Sequence, residues 1–133
     1  YRELDDLLKE SDFISIHVPL NPATEKMIGE KELKKMKDTA YLINTSRGAV
    51  IDEKALLQAL RDEEIAGAGL DVYEDEPKLT PGLAGEEKVV LLPHIGSASI
   101  ETRTKMATMA AENLLAGLKG EEMPNIVNPE ALE

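Results

Sequence analysis

Apolar positions along this chain switch repeatedly between the 3.6-residue period of a helix and the two-residue period of a strand. Leu4, Leu7 and Leu8 at i, i+3 and i+4 predict a short amphipathic helix with acidic residues on its other face. Residues 13–18 form a β-rich run stopped by Pro19, and Asn21-Pro22-Ala23-Thr24 reads as a turn. Residues 30–37 predict a helix with Leu33 and Met36 inward, and residues 40–44 a second strand. Asp52 stands where it can cap a helix that carries Leu56, Ala59 and Leu60. Residues 65–72 predict a third strand buried on both faces, residues 74–87 an acidic loop rich in Pro and Gly, and residues 89–92 a fourth strand ended by Pro93. The longest helix is expected over 99–118, where Met106, Ala110, Leu114 and Leu118 recur every fourth residue and Met106 and Met109 read as helix core. The tail from Lys119, with Gly120, Pro124 and Pro129, reads as extended.

Strands that alternate with helices and are continuously apolar indicate an α/β fold with a parallel sheet covered on both faces. Right-handed crossovers then bring the C-terminal end of every strand to one edge, the edge where open α/β sheets bind ligands. The residues just past each strand are therefore the ones to inspect. They are His17-Val18-Pro19 leading to Thr24, then Asn44-Thr45-Ser46-Arg47-Gly48, then Asp71 running on to Glu74-Asp75-Glu76, and last Pro93-His94-Ile95-Gly96-Ser97. Taken singly, an Arg after a strand, a loop histidine or an acidic loop is ordinary, and His17, within the strand itself, is expected to pack. The shared edge is what argues for chemistry. An Arg grips a carboxylate by two parallel hydrogen bonds, and a His with a Glu beside it suits proton transfer near neutrality. The set fits general acid–base chemistry on a small carboxylate-bearing substrate.

Composition narrows this. The 133 residues are 42% hydrophobic, enough for a core, and carry a net charge of −11. Such a balance argues against nucleic acid and against a basic membrane surface as partners. No cysteine is present, which excludes disulfides and thiolate metal sites, and two histidines are too few for a His-rich metal centre, so no metal is expected. No apolar run is long enough to span a bilayer and the first residues lack a signal-peptide core, so the expected location is cytoplasmic. Gly67-Ala68-Gly69 lacks the third glycine of a dinucleotide turn and enters a strand rather than a helix. Neither a G-x-S-x-G elbow nor H-E-x-x-H occurs.

Three segments in order, Thr45-Ser46-Arg47-Gly48, Gly69-Leu70-Asp71-Val72-Tyr73-Glu74-Asp75-Glu76-Pro77 and Pro93-His94-Ile95-Gly96-Ser97, resemble the D-isomer-specific 2-hydroxyacid dehydrogenases, and residues 11–24 match as well. The resemblance implies a Rossmann-type doubly wound parallel sheet, here its second half, followed by a long C-terminal helix and extended tail. It implies NAD or NADP as cofactor and a small 2-keto or 2-hydroxy acid as substrate, with a homodimeric parent. Arg47 would bind the substrate carboxylate, His94 would protonate the keto oxygen, and Glu76 would hold His94 protonated. Thr45, Ser46 and Arg47 would face the nicotinamide end, Asp71 its carboxamide, and His94, Ile95 and Gly96 would close over the ring. Val18, Pro19 and Thr24 would line the adenosine and pyrophosphate path.

Within the family, Gly96-Ser97-Ala98-Ser99 and the 125–130 ending look most like glyoxylate/hydroxypyruvate reductases. A phosphoglycerate dehydrogenase type and a corepressor-like dinucleotide sensor of the same fold stay open. The family's glycine fingerprint and ribose-reading acid do not occur in this sequence, and the chain does not start with Met. It is therefore expected to be the C-terminal part of a longer enzyme. Residues 1–97 would be the second half of the nucleotide-binding domain, and 98–133 a helix and tail returning to a substrate domain. The first strand is then expected to leave an edge unpaired, a liability for self-association.

Overall fold

The computed structural model describes residues 1–132, which divide into two compact units, residues 1–96 and residues 97–132. The first unit holds α1 (Leu4–Glu10), β1 (Phe13–Ile16), α2 (Glu30–Leu33), β2 (Tyr41–Asn44), α3 (Glu53–Arg61), β3 (Gly67–Leu70) and β4 (Val89–Leu91). Acidic side chains stand at the start of each of these helices, and at α2 and α3 they accept backbone N–H groups there. Asp5 and Asp6 sit in the first turn of α1, Glu32 reaches back to the Gly29 N–H ahead of α2, and Asp52 Oδ1 accepts from Lys54 and Ala55 at 3.1 Å ahead of α3. Burial pushes the Asp52 carboxyl up, but the Ala55 N–H and the nearby Lys26 ammonium outweigh it and hold it below the ordinary aspartate range. The helix expected over 30–37 ends at Leu33. The bonds Lys35 N–H to Glu32 and Met36 N–H to Leu33 are of the tighter i to i+3 kind, and they turn the chain into β2.

The four strands are parallel and lie in the order β1-β2-β3-β4. Register places Ile14, Leu42, Ala68 and Val89 in one row and Ile16, Asn44, Leu70 and Leu91 in another on the same face. That face packs on Leu8, Leu33, Leu56, Leu57 and Leu60 from the three helices and on Met36 from the turn after α2, and forms the core. The opposite face carries Phe13 and Tyr41, whose rings stack with centroids 5.5 Å apart, together with Val90. All three are exposed, so the expectation of cover on both faces fails for these residues. The reason is topological. Each strand lies beside its predecessor in one direction, and right-handed crossovers running one way put every connecting helix on the same face.

The second unit is built on α4 (Ile100–Lys119), which starts at Ser99, whose Oγ accepts the Thr102 N–H, and ends at Gly120 in the left-handed region. Asn113 ties it to the tail, donating to the Met109 and Asn125 oxygens and accepting the Asn125 N–H. The placement of Met106 and Met109 in a helix core is corrected here. Both are exposed, as are Leu114 and Leu118, because a single helix and its tail offer no second surface against which the stripe can bury. No described helix is long and apolar enough to cross a membrane.

One backbone contact fixes how the loop after β2 meets the loop after β3. A Cβ on the buried Gly48 would stand 1.8 Å from the Tyr73 carbonyl carbon and 2.4 Å from the Glu74 nitrogen. Both neighbours are backbone, so neither can move aside alone, and only glycine fits. Gly48→Ala is expected to cost about 3 kcal/mol or more, read from urea unfolding midpoints. A loss under about 1 kcal/mol would mean that the two loops separate cheaply.

Candidate active site

The loop after β2 is shaped by Asn44, the last residue of the strand and fully buried. Its Oδ1 accepts from the Ser46 N–H at 3.0 Å and the Ser46 hydroxyl at 2.9 Å, while its Nδ2 donates to the Arg47 carbonyl at 2.9 Å. The amide thus replaces the partners that the turning backbone gives up. Arg47 is left exposed at the rim, its Nη1 donating to the Ser46 carbonyl at 2.7 Å.

Asp71, one residue past β3 and 4% exposed, accepts the N–H groups of Ile95 and Gly96 at 2.7 Å each. Those bonds pin the loop after β4 and support His94 in the left-handed region at φ 53°, a conformation that L side chains seldom adopt. From the other side, Tyr73 donates its hydroxyl to the Leu92 carbonyl at 2.6 Å. Glu76 then closes the arrangement. Its Oε1 accepts the Tyr73 N–H at 3.0 Å, and its Oε2 lies 2.8 Å from His94 Nδ1.

The bond from His94 holds the Glu76 carboxyl below the ordinary glutamate range. Burial opposes this and is outweighed, with help from the Tyr73 N–H and from the charges of His94 and Arg47. For Tyr73 the largest effect is burial, which, with the charge of Asp71, raises its hydroxyl above the ordinary tyrosine range and keeps it a donor.

Val18, Pro19, Thr45, Ser46 and Arg47 line one open groove at the ends of β1 and β2, together with His17 and Leu20. Glu76 and His94 line a neighbouring recess whose other walls are apolar, including Leu79, Leu91 and Leu92. Thr24 closes the turn that follows Pro19. Its hydroxyl is committed to the Pro19 carbonyl at 2.6 Å and to the Asn21 N–H at 2.9 Å, closing the 19–24 turn that gives the groove its wall. His17 lies beyond the strand, which ends at Ile16, and is exposed, with Nε2 2.8 Å from Ser15 Oγ, so its expected place in the strand and its packing role are corrected. Asn44 and Tyr73, which orient the site, are named in the sequence only as parts of longer segments and were given no role there. The available signals were an Asn closing an apolar strand directly before Thr-Ser-Arg-Gly and a lone aromatic inside an acidic loop.

The family model described as D-isomer specific 2-hydroxyacid dehydrogenase, NAD binding domain, matches residues 1–96. The chain belongs to this family. Among curated 2-hydroxyacid dehydrogenase relatives, a glyoxylate reductase of Thermococcus litoralis is 58% identical over 132 residues, covering 99% of this chain and 40% of the relative. A solved glyoxylate reductase from Paecilomyes thermophila superposes with a TM-score of 0.90 at 46% identity, covering 98% of this chain and 40% of that one. An NADPH-dependent glyoxylate/hydroxypyruvate reductase of Sinorhizobium meliloti, solved with NADP and malonate, gives 0.87 at 37% identity, covering 92% and 38%. The chain spans about 40% of the length of the curated relatives it matches. These neighbours share the α/β Rossmann-type architecture expected from the sequence.

In this dehydrogenase domain the Glu76–His94 bond ties stability to pH. The Glu76 carboxyl is more acidic folded than unfolded, so its contribution is complete above the unfolded value near 4.5 and is lost as pH falls through the lower folded value. Urea midpoints of the wild-type chain are therefore expected to drop more steeply than those of Glu76→Gln as pH is lowered from about 5. Parallel slopes for the two chains would contradict the bond's role.

Proposed function

We propose that this chain forms the acid–base rim and half of the nucleotide-binding domain of an NAD(P)H-dependent reductase of small 2-keto acids, of the glyoxylate or hydroxypyruvate type. The observation that carries the reading is the Glu76–His94 pair at the sheet's ligand edge, with Arg47 exposed on the loop that Gly48 packs against the Tyr73–Glu74 backbone. Residues 1–97 are assigned to the nucleotide-binding domain and 98–133 to a helix and tail serving the substrate domain.

The residues fit a nicotinamide cofactor in kind. Val18 and Pro19 offer apolar wall, Thr45 and Ser46 offer hydroxyls, and each Asp71 oxygen keeps a second lone pair for a carboxamide N–H. The cofactor, NAD or NADP, supplies the hydride when bound. Arg47 takes the substrate carboxylate in two parallel hydrogen bonds and turns the keto group toward His94. Nδ1 of His94 stays bonded to Glu76, which leaves Nε2 to carry the proton that the carbonyl oxygen gains as its carbon is reduced to the alcohol. Glu76 stabilises the protonated ring before transfer and fixes the ring's orientation after it.

The test is loss of reduced-nicotinamide absorbance when glyoxylate or hydroxypyruvate is added to the full-length protein containing this chain. Arg47→Ala is expected to raise KM, and His94→Ala to lower kcat by about 10²–10⁴-fold. The 133-residue chain alone is expected to show no turnover, since the glycine fingerprint that cradles the pyrophosphate is not in its sequence. Equal small effects of the two substitutions, or turnover by the chain alone, would overturn the assignment.

A further inference from the structure

Glu53 is the first residue of α3, and the acid–base chemistry above makes no use of it. Acidic residues in a helix's first turn are ordinarily solvated and favoured there by the helix dipole. This one is 2% exposed. A carboxyl in that setting is costly unless both oxygens find donors, and both do. Oε1 accepts the Glu74 N–H, and Oε2 accepts the Thr80 hydroxyl at 2.8 Å. Glu74 answers with its own carboxyl, Oε2 accepting the Glu53 N–H at 3.4 Å and Oε1 pairing with Lys26 Nζ at 2.8 Å.

The two groups that Glu53 holds lie on either side of Glu76, at positions 74 and 80. The side chain therefore closes the loop across its base, anchoring it to the rigid start of a core helix. Inside that closed segment Glu76 makes its bonds to the Tyr73 N–H and to His94 Nδ1. We propose that Glu53 is a positioning residue, clamping the 74–80 loop at both ends and so presenting the Glu76 carboxyl to His94. The inference deepens the proposed role of the Glu76–His94 pair, and its readouts require no turnover.

The experiment is NMR on the 133-residue chain, following the Glu76 carboxyl carbon through an acid titration and amide exchange at Tyr73, a group that Glu53 does not touch. Glu53→Ala is expected to move the Glu76 midpoint up toward the ordinary glutamate range and to speed Tyr73 exchange by about tenfold or more, with Leu42 and Leu60 still protected. Glu53→Gln keeps an oxygen for the Glu74 N–H and turns an amide N–H to the Thr80 hydroxyl, so both readouts should stay near wild type. Thr80→Val keeps the volume and deletes one bond, and should shift Glu76 in the same direction by less. The clamp is refuted if Glu53→Ala changes exchange at Glu74 alone, or if Glu53→Gln moves Glu76 as far as Ala does. If Glu53→Ala loses protection at Leu42 and Leu60, the Thr80→Val titration decides, and an unmoved Glu76 there refutes the clamp equally. A dehydrogenase that turned over normally beside a failed clamp would leave the functional reading intact, so the two failures are separable.

Discussion

Backbone against backbone is the closest packing a protein makes, and the approach of Gly48 to the Tyr73–Glu74 peptide is the constraint on which the rest of this site depends. Parallel strands deliver their C-terminal ends to one edge, but an edge is only a line of loops. Something must fix the distance between neighbouring loops before side chains can act together. Here the missing side chain of Gly48 sets that distance, bringing the loop that carries Arg47 against the backbone of the loop that carries Glu76.

Around that contact the structure places three polar side chains on core elements, each stabilising a loop that would otherwise fray. Asn44 ends β2 and shapes the Arg47 loop, Asp71 follows β3 and pins the loop of His94, and Glu53 starts α3 and closes the loop of Glu76. All three are buried, and no buried side-chain oxygen or nitrogen among the described residues lacks a partner. This is how a site built on loops acquires the precision of one built on strands and helices. The groups that do chemistry stay exposed, while the groups that locate them are withdrawn from water, where a misplaced hydrogen bond is expensive.

Much of this could be read from the sequence because strand ends are marked by chemistry that periodicity alone reveals. Apolar runs gave way to His17-Val18-Pro19, Thr45-Ser46-Arg47, Asp71 and Pro93-His94, and the parallel sheet then dictated that these share an edge. Asp52 as a helix cap and Leu33, Leu56 and Leu60 as core followed from spacing. What escaped was long-range pairing. Nothing local says that Glu53 meets Glu74 and Thr80, residues 21 and 27 positions away. The methionines of α4 failed for a related reason. A stripe at helical period says that a helix has an apolar face, but not that the same chain supplies its cover.

Net charge poses the last physical question, since a chain at −11 is assigned an anionic substrate and an anionic cofactor. Long-range attraction cannot provide the binding, because the summed field repels both, and salt damps it beyond about 8–10 Å. Recognition must be local, and the structure shows where the negative charge is spent. Glu74 is paired with Lys26, Asp71 is turned onto two backbone N–H groups, and Glu76 is committed to His94 and the Tyr73 N–H. With the nearby carboxylates so occupied, the exposed guanidinium of Arg47 and the ring of His94 are the groups left facing an incoming anion.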